Sequence, residues 1–320
     1  MRPTLLTLPF SLFGEPVVFP AYFTLLALGF GAAMWLTTRR ARKLGMSEQR
    51  VLDTNLWMVV WGLIGSRILH VFADGHLMEY VHLCTDSTLV PATDAAVAHC
   101  ATAAQCGYDY LCNDATHTCY PPRDCFAVLW LWRGGFAYYG GFLFAVAFAV
   151  YYTRKHRMGW WRTADLAAPA IALGLVFGRI GCFFNGCCYG KTTTCSVGVR
   201  FPDGSSAWRA QADAHLIGPH DLALPVHPTE LYEAVGCLAL FLLLWYVVQP
   251  RRKREGDVFA WLLIGYGVLR SLVEIFRDDD RGVFFGFLST SQIISIPLLV
   301  GGIAILVYRQ RDEPAPPRAP

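Results

Sequence analysis

Charged residues are scarce in this sequence. Asp, Glu, Lys and Arg make up 16% of the 320 residues, whereas hydrophobic residues make up 54% and the mean hydropathy is +0.37. A soluble domain normally carries about a quarter of its residues as charges, so this deficit excludes an ordinary soluble protein. Apolar runs long enough to cross a bilayer recur along the chain. We therefore predict a polytopic membrane protein.

Three other absences narrow the possible functions. Residues 1–16 lack a basic segment followed by a small-residue cleavage site, so the first apolar run is predicted to be a retained span and not a signal peptide. Every basic cluster flanks an apolar run, which argues against nucleic-acid binding. The 11 cysteines include no Cys-x-x-Cys pair, which argues against a thioredoxin-like redox unit and against a zinc site.

Seven apolar runs are predicted to be membrane-spanning helices. They cover residues 17–36, 56–73, 136–152, 164–184, 231–248, 258–276 and 293–308. Basic clusters follow the first, third, fifth and seventh runs and hold more than half of the 27 Lys and Arg residues. Because positively charged loops stay on the cytoplasmic side, we predict an N-terminus outside and a C-terminus inside. The predicted fold class is an all-α polytopic membrane protein with seven transmembrane helices.

This topology divides the chain into six segments. Residues 1–73 hold helices one and two, 74–125 form a cysteine-rich periplasmic insertion, 126–184 hold helices three and four, 185–226 form a periplasmic excursion, 227–310 hold helices five to seven, and 311–320 form a cytoplasmic tail. Both long polar segments then lie on the outer face.

The insertion contains an even set of cysteines: Cys84, Cys100, Cys106, Cys112, Cys119 and Cys125. This polar segment has little apolar material for a core, and disulfides are the usual substitute in an oxidising compartment. We predict three bridges among the 15 possible connectivities of six cysteines. A zinc site with His99 and His117 is the weaker alternative.

Five ionisable residues lie within or at the edges of the predicted spans: Arg67, Arg133, Arg179, Arg270 and Glu274. Each costs a few kcal/mol at the bilayer centre and normally faces a polar cavity. Arg270 and Glu274 are one helical turn apart, so they can form an ion pair that only holds helices together. The excess of arginine favours an anionic ligand instead, and a phospholipid headgroup is the abundant candidate in a membrane.

A glycine-rich stretch, residues 178–191, has the sequence GRIGCFFNGCCYGK. Its arginine ends an apolar run, and its four glycines allow tight turns that expose backbone N–H groups. A cation beside such donors is typical of a site for phosphate or another anion. Two further motifs, residues 133–141 (RGGFAYYGG) and 227–233 (HPTELYE), open the third and fifth spans. Close helix packing and helix capping are their structural alternatives.

Taken in order, these motifs resemble the prolipoprotein diacylglyceryl transferase family. The family signature G-R-x-G-N-F-x-N-G-E-x-x-G corresponds to residues 178–190, GRIGCFFNGCCYG. The family's H-P-S-Q-L-Y-E corresponds to residues 227–233, and its G-Y-G-x-x-R-x-x-x-E is complete at residues 265–274. The resemblance covers almost the whole chain outside the cysteine-rich loop.

The resemblance implies transfer of the diacylglyceryl group of phosphatidylglycerol to the lipobox cysteine thiol of a prolipoprotein. It implies that Arg179 and Arg270 hold the phosphate, that Glu274 orients Arg270, and that Tyr139 stands at the position of a catalytic histidine. The implied substrate-binding residues are Tyr22, Arg67, Asn185, Gly190, Tyr266, Gly140 and Gly141.

The resemblance also sets the expected partners and location. The partners are phosphatidylglycerol, the lipobox of the prolipoprotein signal peptide and membrane lipids, with no nucleic acid. No metal and no cofactor are expected, and transfer chemistry needs no more than a monomer. The implied location is the bacterial inner membrane, with several spans and the active site toward the periplasm.

Three positions depart from the family pattern. Tyr139 replaces the histidine of the family's H-G-G, Cys182 replaces the first asparagine of the signature, and Cys187 replaces its glutamate. A tyrosine hydroxyl is a weaker base than an imidazole, and both cysteines remove strong hydrogen-bonding groups.

Two other functions stay open because of these departures. Cys182, Cys187, Cys188 and Cys195 crowd the predicted site, so the chain can also be a membrane thiol–disulfide oxidoreductase. Structural disulfides that close a short outer loop are the simpler explanation of these cysteines. The third hypothesis is a non-catalytic lipid-binding relative whose outer module recruits a partner.

Overall fold

The computed structural model describes residues 4–12, 15–73, 75–90, 100, 106, 110–113, 115–129, 135–218, 221–277, 283–284 and 288–309. Arg133, His99 and the predicted tail at 311–320 lie outside these residues. The described chain is predominantly helical, with α1 (Ala21–Lys43), α2 (Glu48–Ala73), α3 (Leu77–Thr85), α4 (Tyr138–Lys155), α5 (Trp160–Asn185), α6 (Ser206–Asp213), α7 (Thr229–Leu242), α8 (Gln249–Arg251), α9 (Asp257–Glu274) and α10 (Thr290–Arg309).

Strands are few and short. The described strands pair as three antiparallel hairpins: β1 (Thr4–Leu12) with β2 (Glu15–Pro20), β3 (Leu111–Asn113) with β4 (Thr118–Tyr120), and β5 (Val283–Phe284) with β6 (Leu288–Ser289). The helical class expected from the sequence therefore describes the bulk of the protein; the first hairpin precedes α1 and the other two connect helices.

Within the described residues, four helical stretches are long and apolar enough to cross a membrane. They are α1, α2, α5 and the continuous helix Thr229–Arg251, which runs from α7 through a π-helical turn to α8. A shorter apolar stretch, Gln292–Tyr308, lies in α10. In α9 the apolar character is interrupted by Asp257, Arg270 and Glu274. These helices make the protein a mostly helical membrane protein.

Large apolar side chains cover the outside of these helices. Trp35 in α1 is 60% exposed, Phe72 in α2 is 66% exposed, and Val235 in α7 is 68% exposed. Such exposure is unusual for a soluble monomer, but lipid tails are as apolar as these side chains. The outward surface therefore suits a bilayer.

The chain forms two compact units, residues 1–52 with 158–320, and residues 53–157. In the first unit α5 packs against α1, α7 and α9, and α9 packs against α10. The fully buried Ala168 and Ala172 of α5 lie in one core cluster with Leu240 and Leu244. Because alanine lets helices approach closely, α5 forms the centre of this unit. The C-terminal part of α5 carries Arg179.

A buried carboxylate joins α5 to the start of α9. Asp165 is fully buried, and its oxygens accept hydrogen bonds from the backbone N–H groups of Gly256 at 2.9 Å and Phe259 at 3.0 Å. These N–H groups belong to the first turn of a helix and have no partner within it, so the carboxylate satisfies them. The contact fixes the two helices that carry the predicted phosphate-binding arginines.

The second unit contains the cysteine-rich insertion. Its six cysteines form the disulfides Cys84–Cys125, Cys100–Cys112 and Cys106–Cys119, which confirms the predicted three bridges and supplies their connectivity. Cys100, Cys106 and Cys119 are buried and pack together with Tyr110. Sulfur atoms thus take the place of the apolar core that this segment lacks.

Candidate active site

A fully buried carboxylate, Glu233, lies at the centre of a polar cluster in the first unit. Nη2 of Arg179 is 2.9 Å from its Oε1, and Nη1 of Arg270 donates to its Oε2 at 3.3 Å. The hydroxyl of Tyr266 donates to Oε1 at 3.0 Å. Three helices, α5, α7 and α9, therefore meet at one carboxylate. A carboxylate without such partners is costly in an apolar interior, which explains the convergence.

A second carboxylate, Glu274, completes the cluster at the end of α9. Its Oε2 lies 3.1 Å from Nη2 of Arg270, one helical turn earlier, and 4.0 Å from Nε of Arg277. The Arg270–Glu274 pair expected from the helical spacing is present. Arg270 thus contacts two carboxylates, because its planar guanidinium presents donors on more than one edge.

Arg179 is the most accessible guanidinium of this cluster. Its side chain is 18% exposed, whereas the side chains of Arg270 and Arg277 are 8% and 2% exposed. The contact of Arg179 with Glu233 engages Nη2, and a guanidinium carries five N–H donors. An anion that approaches the cluster therefore meets Arg179 first.

A third carboxyl group belongs to Glu230, three residues before Glu233. Its side chain is fully buried, and neither of its oxygens has a hydrogen-bond partner among the described residues. Cys188, Arg277 and Arg179 are its electrostatic neighbours. The same helix thus carries Glu233, whose carboxylate contacts three polar side chains, and Glu230, whose oxygens have no hydrogen-bond partner among the described residues.

A tight turn follows α5 and carries the thiols of Cys187 and Cys188. Gly186 ends the helix with φ of 72°, and the N–H of Cys187 donates to the carbonyl of Cys182 at 3.2 Å. Glycine suits this left-handed position because it has no Cβ. The turn brings the sulfur atoms of Cys182, Cys187 and Cys188 within 4.8 Å of one another. The hydroxyl of Thr229 holds the turn by donating to the carbonyl of Cys188 at 2.7 Å.

The surroundings of the Cys188 thiol lower its pKa. Hydrogen bonds from the thiols of Cys182 and Cys187, together with the positive charges of Arg179 and Arg277, hold the pKa of Cys188 well below its usual range, although burial opposes this shift. Among the described cysteines, these three, Cys195 and Cys237 are thiols. The expectation that these three and Cys195 form structural disulfides is therefore wrong for this structure.

Gly190 lies where the loop after α5 passes between α7 and α9. Its N–H donates to the carbonyl of His227 at 2.9 Å, and the next N–H, of Lys191, donates to the carbonyl of Phe276 at 2.8 Å. A Cβ at position 190 would collide with that carbonyl and with the Thr229 methyl group. The position therefore requires glycine, and the loop joins the two helices that flank the cluster.

Comparisons with known proteins identify the family to which this chain belongs. The model of the prolipoprotein diacylglyceryl transferase family matches residues 10–308. This chain belongs to the prolipoprotein diacylglyceryl transferase family. It is similar to the phosphatidylglycerol–prolipoprotein diacylglyceryl transferases of Glaesserella parasuis serovar 5 (strain SH0165), with 30% identity over 95% of this chain and 94% of the relative, and of Pasteurella multocida (strain Pm70), with 32% identity over 92% and 93%. The transferase of Clostridium tetani (strain Massachusetts / E88) is 29% identical over 95% of this chain and 96% of that protein.

The three motifs that resemble this family meet at the buried cluster. Arg179 comes from the glycine-rich signature, Glu233 from the 227–233 motif, and Tyr266, Arg270 and Glu274 from the 265–274 motif. The structure therefore brings together four of the predicted site residues of this transferase. Their roles in substrate binding stay predictions.

Two other predicted residues lie at the edge of the same unit. Tyr22 packs against Gly181, since a Cβ at that glycine would lie 3.2 Å from the Tyr22 ring. The Asn185 side chain is exposed at the end of α5, and its Nδ2 donates to Sγ of Cys187 at 3.6 Å. Both residues therefore border the turn that carries the thiols.

Arg67, Tyr139, Gly140 and Gly141 belong to the second unit. The guanidinium of Arg67 donates to the carbonyls of Ala127, Val128 and Gly135 at 2.9 to 3.0 Å, so it holds the chain that leads to α4. A Cβ at either glycine would approach the backbone of α2, which favours close helix packing there. The Tyr139 side chain is 53% exposed at the start of α4.

Sequence reasoning assigned no site role to Glu233 or Glu230. Glu233 belongs to the 227–233 motif, for which helix capping is the structural alternative, and capping does not indicate its contacts with two arginines. A usable signal was its place inside an apolar run, where a carboxylate needs a cationic partner. The partners themselves lie on other helices, so spacing along the sequence does not identify them.

Proposed function

We infer that this protein is a transferase that moves the diacylglyceryl group of phosphatidylglycerol onto the lipobox cysteine thiol of a prolipoprotein. The observation that carries this conclusion is the family match over residues 10–308, which includes the cluster around Glu233. Curated relatives with this name align with more than nine-tenths of the chain. In the reaction a sulfur–carbon bond forms, the bond between the glyceryl carbon and the phosphate oxygen breaks, and glycerol phosphate leaves.

Arg179 and Arg270 bind the phosphate group of the lipid in this proposal. Negative charge gathers on the phosphate as its bond to the glyceryl carbon breaks, so fixed guanidinium groups stabilise the transition state more than the ground state. Glu233 bridges the two arginines, which fixes their spacing before the lipid arrives. Glu274 and Tyr266 orient Arg270 and Glu233 in turn.

The acceptor thiol has to lose its proton, because the thiolate is the nucleophile. Tyr139 occupies the position of the family's histidine, and its phenolate oxygen, after loss of the hydroxyl proton, is the group proposed to accept the thiol proton. Its exposed side chain at the start of α4 is accessible to a peptide. Tyr22, Arg67, Asn185, Gly190, Gly140 and Gly141 complete the proposed lining of the substrate site.

The proposed topology has seven spans, an outer N-terminus and an inner C-terminus in the bacterial inner membrane. The segments are those predicted from the sequence, with the insertion at 74–125 and the active site on the periplasmic side. Arg40, Arg42 and Lys43 in the last turn of α1, and Arg154 and Lys155 in the last turn of α4, support this orientation. Transfer within one chain needs only a monomer.

A complementation experiment tests this function. The chain is expressed in a bacterium whose own diacylglyceryl transferase is depleted, and lipid attachment to a reporter lipoprotein is followed. Growth and a lipid-modified reporter are expected with the wild-type chain, and neither is expected with Arg179→Ala at equal membrane abundance. An unmodified reporter despite correct insertion of the wild-type chain would refute the proposal.

A further inference from the structure

Three sulfur atoms without an assigned role lie beside the proposed phosphate site. Cys182 is in the last turn of α5, and the left-handed turn at Gly186 brings Cys187 and Cys188 back toward it. All three side chains are partly exposed, so an ion from solution can reach them. The insertion has a similar sulfur group in the described chain, but disulfides engage its cysteines and leave no thiolate to bind an ion.

We propose that Cys182, Cys187 and Cys188 form a binding site for a soft, thiophilic metal ion, and for Cu(I) in preference to Zn(II). Thiolate sulfur is the ligand that selects such ions. The group contains three sulfurs without an imidazole or a carboxylate, whereas a structural zinc site normally has four protein ligands. Three ligands suit trigonal Cu(I). The sequence alone predicted no metal site here, because the turn that gathers the sulfurs is a property of the folded chain.

The spacing of the sulfurs is close to what a metal ion needs. Metal–sulfur bonds of about 2.3 Å in a trigonal arrangement place the sulfur atoms about 4 Å apart. The sulfurs lie within 4.8 Å of one another, so no pair has to contract by more than about 1 Å when an ion binds. Rotation of the cysteine side chains is sufficient for this change.

Neighbouring groups hold the three residues in this arrangement. The Asn185 amide donates to Sγ of Cys187, and the Thr229 hydroxyl donates to the carbonyl of Cys188. Contacts of this kind orient ligands in metal sites. The site therefore exists in the folded chain before any ion arrives.

The charges around the sulfurs suit an anionic metal complex. Three thiolates and one Cu(I) together carry two negative charges. Arg179 interacts electrostatically with Cys182 and Cys188, and Arg277 interacts with Cys188. Two guanidinium groups thus offset part of the charge of the complex, although Arg179 and Arg277 also lie beside the carboxylates of Glu233 and Glu274. Glu230 is a further electrostatic neighbour of Cys188.

Occupancy of this site is expected to inhibit lipid transfer. The anionic complex competes with the phosphate of the lipid for Arg179, which lies one helical turn before Cys182. This consequence rests on the proposed transferase function, whereas metal binding itself does not.

Binding is tested with the full chain in detergent, reduced and kept under anaerobic conditions. Cu(I) is titrated in competition with a chromogenic Cu(I) chelator, and ultraviolet absorption reports Cu(I)–thiolate bonds. One Cu(I) per chain is expected, with at least 100-fold weaker binding after Cys182→Ser, Cys187→Ser and Cys188→Ser are combined. Cys195→Ser, which removes an exposed thiol outside the group, is the matched control and should bind like the wild type.

Three results would overturn the metal site. One is equal Cu(I) affinity in the wild type and the triple variant, and another is tighter binding of Zn(II) in a parallel titration. The last is a disulfide among the three cysteines of the isolated protein, seen as fewer than the five thiols of this structure. Melting curves of every variant show whether a lost site reflects lost folding.

A second variant keeps the test informative if the triple variant does not fold. Cys182→Asn with Cys187→Glu restores the family residues and removes two of the three sulfurs. Cu(I) is expected to lower transfer by the wild type at least tenfold and to leave transfer by this variant unchanged. Binding of Cu(I) without inhibition would refute the inhibitory consequence. Absence of transfer by the metal-free wild type would refute the proposed function, and the titration would still decide the metal site.

Discussion

The substitution Glu233→Gln tests whether Glu233 bridges Arg179 and Arg270 at the centre of the site. Glutamine keeps the shape and one acceptor oxygen, so the hydrogen bond from Tyr266 can persist, but the contacts with Arg179 and Arg270 lose their ionic character. A hydrogen bond to a charged group contributes about 1.5–3 kcal/mol, and roughly half of this is due to the charge. Two such contacts weaken, so we expect a loss of about 1.5–3 kcal/mol in the free energy of unfolding.

The matched control is Glu230→Gln, on the same helix and equally buried. Neither oxygen of Glu230 has a hydrogen-bond partner in the described chain, so its exchange removes no ionic contact of this kind. Melting of the purified protein in detergent, followed by tryptophan fluorescence, measures both variants. A loss of about 1.5–3 kcal/mol corresponds to about 3–12 °C in a unit of this size, and Glu230→Gln should melt close to the wild type. Equal melting temperatures for Glu233→Gln and the wild type, or equal losses in both variants, would refute the bridge.

Three further predictions concern the arginines, the loop and the proton acceptor. Arg179→Ala should lower kcat about 100-fold or more, since it removes a charge from the leaving phosphate. Arg179→Ala should lower the melting temperature less than Arg270→Ala, because Arg270 contacts two carboxylates. A larger fall in melting temperature for Arg179→Ala would contradict this. Gly190→Ala should reduce the folded fraction in detergent, whereas Gly178→Ala, with open space around it, should not; equal yields would contradict the packing argument. Tyr139→Phe should lower kcat about 100-fold or more and Tyr139→His should retain transfer, while unchanged activity in Tyr139→Phe would exclude the phenolate oxygen as the proton acceptor.

The features of this structure that depend on local sequence patterns could be predicted from the sequence. Apolar runs marked the long helices, and the even set of cysteines in a polar segment indicated disulfides. The Arg270–Glu274 pair followed from one turn of helix. Each of these features depends on residues close in the chain or on composition alone.

Features that depend on packing between helices could not be predicted in the same way. Glu233 meets Arg179 and Arg270 only because α5, α7 and α9 approach one another, and the pairing of the six cysteines depends on how the insertion folds. Cys182 in the last turn of α5 and the two cysteines that follow the helix come together because Gly186 adopts a left-handed conformation. The sequence shows the cysteines and the glycine, but it does not show that the chain reverses direction at Gly186 and so brings the sulfur atoms together.

Lipid transfer by the purified protein tests the central claim most directly. The wild-type chain is mixed with phosphatidylglycerol and a peptide that contains a lipobox cysteine, and the peptide is analysed by mass spectrometry. The account predicts a peptide heavier by one diacylglyceryl group, attached to the cysteine sulfur, together with released glycerol phosphate. A peptide with serine in place of the cysteine should stay unmodified. An unmodified cysteine peptide in the presence of folded protein and phosphatidylglycerol would contradict the account.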